Sequence, residues 1–314
     1  MTPQTFAALC LLALASCAGT KLDRHRAFIL ADQPARPASG VRVTYLGTSG
    51  CLLESSDATV LVDPYFTRTS FLPVILNLPI HPDRARNQWA LDHLPRRAAH
   101  PDLILVTHGH IDHALDAVKI AKESQAKFAA SPSTCFIARA DGLPVGQTAP
   151  MPPHTTRHFD SVKVTAYLSP HTKLLGRVPF PGNETSVPRH PPRMPGDWKL
   201  GEPLSYLIEM GGKRIYMNSG AATVHVPQNI ARVDLAMIGC SAQDDRSQLA
   251  TALDKLHPRY FFPVHQDNFF QPLDKGFHYL PTASFEKVRQ TWQQKHSAGS
   301  RLILLDYFRP WTLR

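Results

Sequence analysis

The sequence predicts a mixed α/β domain over residues 41–314, and three observations carry that expectation. Short apolar runs rich in β-branched residues, such as Leu103-Ile104-Leu105-Val106-Thr107, alternate with longer stretches of helical spacing. Gly211-Gly212 stands between two alternating runs and marks a tight hairpin. The run Thr107-His108-Gly109-His110-Ile111-Asp112-His113 lies between an apolar strand and a segment, Ala114 to Glu123, that carries Leu115, Val118 and Ile120 at helical spacing.

In chain order, strands are expected near 41–46, 50–55, 59–63 and 103–107, then a helix from about 114 and a strand at 127–131. A short helix near 133–140 is closed by Gly142-Leu143-Pro144. The second half predicts strands near 161–168, 204–210, 213–218, 234–239 and 259–263, helices near 246–256 and 283–296, and a closing strand at Leu302 to Leu305. Two segments interrupt this order after strand ends. Phe71 to Pro79 is apolar with Pro73 and Pro79, and Lys173 to Pro203 is rich in Pro and Gly. Both positions suit the rim of a pocket, and the first reads equally well as a cover for the core or as a lip that binds a lipid or acyl chain.

The chain has 314 residues, 43% of them hydrophobic and 19% charged, which suits one globular domain of the larger kind. The net charge of +9 comes from 34 Lys and Arg against 25 Asp and Glu, scattered singly or in pairs such as Arg96-Arg97. No cluster of the nucleic-acid-binding type is present, so a nucleic-acid partner is not expected. A basic surface does favour anionic substrates or membranes.

Residues 1–16 carry no charged side chain, and Phe6 to Leu14 is almost wholly apolar, as in the core of a signal peptide. Leu14-Ala15-Ser16-Cys17 resembles a lipobox, although no Lys or Arg precedes the apolar core. That resemblance implies cleavage before Cys17, lipidation of its thiol and anchoring in the cell envelope facing the periplasm. Ala at position 18, where Asp would signal retention in the inner membrane, points to the outer membrane. Residues 17–40, polar and with no clear period, are expected to form a tether. Cys51, Cys135 and Cys240 cannot all pair, so no disulfide framework is expected.

The H-x-H-x-D-H run of His108 to His113 places three imidazoles and a carboxylate together, the donor types of a catalytic Zn²⁺ site. His108 and His110, two residues apart in a loop, can point the same way. This run resembles the signature of the metallo-β-lactamase superfamily, and other stretches follow in that superfamily's order. They are Val41 to Gly47 with Cys51 to Glu54, Val60 to Tyr65 with its strand-end Asp63-Pro64, His171 after Ser169-Pro170, and His265 in Phe262 to Asp267. The likeness spans about residues 41–310 and is nearest to the branch holding ascorbate-6-phosphate lactonases and N-acyl-phosphatidylethanolamine phospholipases.

The resemblance implies an αββα sandwich and a metal-dependent hydrolase. It makes His108, His110 and His171 one ligand set and Asp112, His113 and His265 a second. It implies one or two Zn²⁺ ions, with Mn²⁺ or Fe²⁺ as other occupants, supplying a metal-bound hydroxide that Asp112 helps to hold. Asp63 would accept a hydrogen bond from a ligand imidazole. The substrate would be a small molecule or lipid-like compound with a phosphodiester, ester or lactone bond. One departure is plain. Where the superfamily carries a bridging Asp, this chain reads Asn218-Ser219-Gly220-Ala221-Ala222, with Ser219 at the corresponding place, or Gly220 or Ala221 with a slip of one or two residues. That loss implies one tight and one weak metal or a binuclear site bridged only by hydroxide, and it leaves open a metal-binding envelope lipoprotein without turnover.

Overall fold

The computed structural model describes residues 21–31, 39–173, 176–220, 226, 230, 232–241 and 246–314. Cys17 and the segment before it lie outside the described residues. Two seven-stranded sheets face each other, with helices outside both, so the fold is the αββα sandwich.

The first sheet contains β1 (Val41–Gly47), β2 (Gly50–Glu54), β3 (Thr59–Val62), β4 (Leu103–Leu105), β5 (Lys127–Ala130) and β6 (Thr148–Pro150) in that order. The second contains β7 (Thr156–Phe159), β8 (Val162–Leu168), β9 (Leu204–Met210), β10 (Lys213–Asn218), β11 (Leu235–Gly239), β12 (Tyr260–Val264) and β13 (Arg301–Leu302). Strand β14 (Pro310–Leu313) returns to pair with β1 at the edge of the first sheet. Each sheet begins with antiparallel hairpins and ends in parallel pairs.

The alternation of side chains along a strand builds the layers. Leu103 and Leu105 face the core between the sheets, while Ile104 and Val106 face the outer helices. Those helices on the first sheet are α1 (Phe71–Ile75), α2 (Arg84–Asp92), α3 (Ile111–Ser124) and α4 (Pro132–Ala140). Helices α5 (Arg246–Leu256) and α6 (Phe285–Lys295) cover the second sheet. The hairpin at Gly211-Gly212 has φ of 53° and 71°, the left-handed pair that glycine reaches without steric cost.

Three expectations change. Helix α3 starts at Ile111 rather than 114, because Ile111 is already buried in the outer core; Asp112 and His113 therefore belong to its first turn. The expected strand at 302–305 ends at Leu302, and the chain is closed by β14, a four-residue edge strand beginning in proline that gives little periodic signal. Leu304 pairs instead with the N-terminal segment, its N–H donating to Phe28 and its carbonyl accepting from Leu30. The 17–40 tether is accordingly shortened. Residues 21–31 lie against the domain, with Leu22 buried, Lys21 bridged to His278, and His25 and Phe28 on the Phe285 ring at 4.4 and 5.3 Å. Cys51, Cys135 and Cys240 are buried free thiols.

Asp116 reads in sequence as a helix N-terminal charge on a solvated face. It is instead fully buried and accepts from Phe66 N (2.7 Å), Thr67 N (2.6 Å), Thr67 Oγ1 (2.5 Å) and Asn87 Nδ2 (2.9 Å). It pins the loop after β3 to α3. Asp116→Ala leaves two buried amides without acceptors, and urea denaturation is expected to show a loss of about 3 kcal/mol.

Candidate metal centre

The strands β3, β4, β8, β10 and β12 run the same way and end at one edge of the sandwich, and every expected site residue lies just past one of those ends. Asp63 follows β3, the histidine run follows β4, His171 follows β8, Ser219 follows β10 and His265 follows β12. The two sheets are tied together there. Tyr206 OH donates to Val106 O (2.8 Å), Leu204 N to Thr107 O (2.8 Å), and His265 N to Thr48 O.

Two triads of donor atoms result. One ligand atom each from His108, His110 and His171 lies within 4.8 Å of the others, and the same holds for Asp112, His113 and His265. His108 Nε2 is 3.1 Å from His110 Nδ1. Asp112 Oδ2 is 3.3 Å from both His113 Nε2 and His265 Nε2.

The remaining ring nitrogens show which atoms face inward. His110 Nε2 donates to Pro179 O (3.0 Å), His171 Nδ1 to Thr172 O (2.7 Å) and His113 Nδ1 to Asp63 Oδ2 (2.9 Å). His108 Nδ1 lies 3.2 Å from Thr107 Oγ1. These partners fix tautomer and ring orientation, leaving the opposite nitrogen as a lone-pair donor toward the triad. His113 Nε2 is buried and makes no hydrogen bond, an orphan that a metal ion would satisfy. The donor sets, three imidazoles in one triad and two imidazoles with a carboxylate in the other, fit divalent metals of the Zn²⁺ type.

Charge divides the triads. Burial, then the neighbouring imidazoles, lower His108 far below its usual value, and burial brings His110 to about 3; His171 is lowered too. All three are neutral at physiological pH. Burial opposes charge on Asp112, but His113 and His265 hold its carboxyl well below the usual range. Burial likewise opposes charge on His113, yet Asp112 and Asp63 raise it to about 10.

Ser219 does not lie between the triads. Its hydroxyl contacts Thr107 Oγ1 and stands 3.4 Å from His108 Nδ1, behind the ring rather than at its ligand face. No carboxylate besides Asp112 joins either triad among the described residues.

Sequence reasoning missed the support of His265. Arg68 Nη1 meets Asp267 Oδ2 at 2.8 Å, both fully buried, and Asp267 also accepts from Thr48 N (2.8 Å), Tyr45 OH (2.8 Å) and Tyr307 OH (2.6 Å). Burial opposes the charge on Asp267, while Arg68 and these donors keep its carboxyl below the usual range. Two residues before it, His265 sits at φ 58°, a left-handed backbone held by this network. An Arg five residues after Asp63 gives no sequence signal for such a pairing.

The two interrupting segments form a continuous rim. Gly109 N donates to Leu200 O (2.9 Å), and a Cβ at Gly109 would stand 2.0 Å from Lys199 O, so only glycine allows the approach. Asn77 Oδ1 accepts from Gly196 N, and Ile80 N donates to Arg193 O, both at 2.8 Å.

Residues 58–266 match the family model described as the β-lactamase superfamily domain. The chain belongs to that superfamily. It is 26% identical over 234 residues to a protein of Desulforamulus reducens named UPF0173 metal-dependent hydrolase, covering 73% of this chain and 86% of that one. A UPF0173 metal-dependent hydrolase of Heliobacterium modesticaldum is 28% identical over 243 residues, covering 73% and 84%. Among solved structures, Igni18, a metallo hydrolase of Ignicoccus hospitalis, shares the fold with a TM-score of 0.57 at 17% identity, over 88% of this chain and 99% of that one. CmlA, a diiron β-hydroxylase of Streptomyces venezuelae, shares it at 0.52 and 17% identity, over 88% of this chain and 54% of that one. The frame thus carries different chemistry, a metallo hydrolase in one case and a diiron β-hydroxylase in another.

Two outcomes are expected from this geometry. Because His113 is protonated below about 10, loading the second triad displaces a proton and the first does not. Its affinity should rise with pH across the neutral range, read by calorimetry in buffers of different ionisation enthalpy. Asp267→Asn should weaken the second triad's metal roughly 10–100-fold and spare the first, as counted by equilibrium dialysis.

Proposed function

We propose that this metal-dependent hydrolase of the metallo-β-lactamase fold cleaves a phosphodiester, ester or lactone at the two triads, with Zn²⁺ as the metal. The observation that carries the reading is the pairing of triads whose inward atoms converge and whose outward nitrogens are engaged on His108, His110, His113 and His171. Bound there, divalent metals bring a water's pKa toward 7 and polarise the oxygen under attack. His108, His110 and His171 would hold one ion as neutral donors. Asp112, His113 and His265 would hold the other, and the Asp112 carboxylate is placed to orient a nucleophilic water by hydrogen bond. Asp63 keeps His113 in the donor tautomer.

Ser219 in place of a bridging carboxylate, together with a His265 Nδ1 that has no hydrogen-bond partner, supports one tightly and one weakly held ion. Two tightly held ions per chain would overturn that stoichiometry. Hydrolysis of bis-p-nitrophenyl phosphate, p-nitrophenyl acetate and simple lactones tests the activity. Turnover should vanish with chelator, return with Zn²⁺ or Mn²⁺, and be lost with metal in His110→Ala. Bound metal without turnover on any of these substrates would favour a non-catalytic metal-binding lipoprotein.

We also propose that the chain is lipid-anchored at Cys17 in the envelope, facing the periplasm. The apolar Phe6 to Leu14 and the lipobox-like Leu14 to Cys17 support it. Lys21, four residues on, is already bridged to the domain, which would hold the site close to the bilayer. Labelled palmitate entering the wild-type chain but not Cys17→Ala is the expected result.

A further inference from the structure

Seven large hydrophobic side chains are strongly exposed among the described residues, and four of them fall within seven residues of one another. They are Leu72 (48%), Ile75 (38%), Leu76 (56%) and Leu78 (43%), on and just after α1. Contiguous exposed aliphatics of this kind mark a binding surface rather than ordinary surface scatter.

The segment is held in place. Leu78 N donates to Pro73 O (2.9 Å), Leu76 N to Leu72 O (3.0 Å), and Asn77 Oδ1 ties the turn to Gly196 N on the opposite rim loop. Its backbone is hydrogen-bonded and Val74 packs against the outer core, while Leu72, Ile75, Leu76 and Leu78 face water. Those four side chains cost hydration free energy without any gain to the core.

The patch connects with the metal centre. Phe71, in the same helix, meets Phe270 edge to face at 5.1 Å; Phe270 meets Phe269 at 4.4 Å; Phe269 meets the His265 ring at 4.9 Å. An unbroken line of aromatic surface thus runs from the exposed leucines to a ring of the second triad. A protein partner or a bilayer seated on the patch would have no use for that continuity. A substrate with a polar reacting end and an aliphatic chain uses both ends of it.

We propose that the enzyme acts on amphiphilic substrates, whose aliphatic chain lies along the Leu72–Leu78 lip and the Phe71–Phe270–Phe269 line while the scissile group sits at the triads. This rests on the hydrolase reading above and adds the class of substrate. Burying successive methylenes there contributes binding free energy per carbon, so affinity must climb with chain length.

The test uses the full chain loaded with Zn²⁺ and a series of n-alkylphosphonic acids of two, six and ten carbons, below their micellar concentrations, titrated by calorimetry. Binding needs no turnover, so it remains readable whether or not the chosen chromogenic esters are substrates. The expected result is an affinity gain of roughly tenfold or more from the shortest to the longest member. In Leu72→Ser/Leu76→Ser that gain should fall below about threefold, with the two-carbon member bound as in wild type. Both leucines are exposed, so an unchanged melting curve is expected of the variant. A flat series in wild type, no phosphonate binding at any length, or a steep series unchanged in the variant overturns the proposal. So does a variant that keeps the chain-length dependence but loses binding to phosphatidylglycerol-containing vesicles, which would make the lip a membrane contact.

Discussion

Asp63 stands at the end of β3, fully buried, with a left-handed φ of 43°, and its carboxylate takes three donors. Thr107 N (2.8 Å) and Thr107 Oγ1 (2.6 Å) come from the end of β4, and His113 Nδ1 (2.9 Å) comes from the first turn of α3. Asp63 N in turn donates to Leu105 O (2.9 Å), continuing the β3–β4 pairing one step past the strand. One side chain therefore fixes where two parallel strands stop and which nitrogen of His113 faces the site. Thr107 relays that position to Ser219 and His108, so both triads inherit it. Thr48, Arg68 and His265 share the left-handed backbone, at roughly 1–3 kcal/mol each. Hydrogen bonds buried around the same site offset that strain.

The division of charge follows from this frame. Three imidazoles with no carboxylate among them are driven neutral by burial, so the first triad is ready to donate lone pairs. The second triad is a carboxylate held between two imidazoles, with Asp63 behind one of them, and it holds a proton until a metal displaces it. A bridging carboxylate would have lent the two triads a common anion. With Ser219 turned behind His108, the triads meet through the His108–His113 ring contact at 4.0 Å and through the hydrogen bonds of Asp63 and Thr107.

Much of this was legible in the sequence, for identifiable reasons. Candidate metal-binding side chains are few, chemically distinctive and spaced by local backbone geometry, so the convergence of His108, His110, Asp112 and His113 at one strand end could be read from seven residues. Strands buried on both faces read as apolar runs, which is why β1 to β5 and β8 to β12 were expected close to where they lie. His171 and His265 needed the family order, since a lone histidine after a proline or a strand has no local signature. The buried Arg68–Asp267 pair was not legible, because its partners are 199 residues apart and each alone resembles a surface charge. Asp116 failed for the same reason: burial is a property of the neighbours Phe66, Thr67 and Asn87, not of the helix that carries it. Strand β14 and the docking of residues 21–31 were missed because short edge elements are specified by what they cover.

The rim and the metal loop are not independent parts. Gly109, between the two first ligands, is pressed so closely by Lys199 and Leu200 that no side chain fits, and His110 relies on Pro179 of the same rim segment for its tautomer. That segment is braced through Gly196 and Arg193 to the residues around the exposed leucines. A superfamily that changes chemistry by changing loops would be expected to keep its ligands insulated from them. Here the rim segment also supplies a carbonyl that orients His110 in the first triad. A substitution that moves the rim therefore moves a donor atom as well, so rim and triad are physically coupled through residues 109–110 and 179–200.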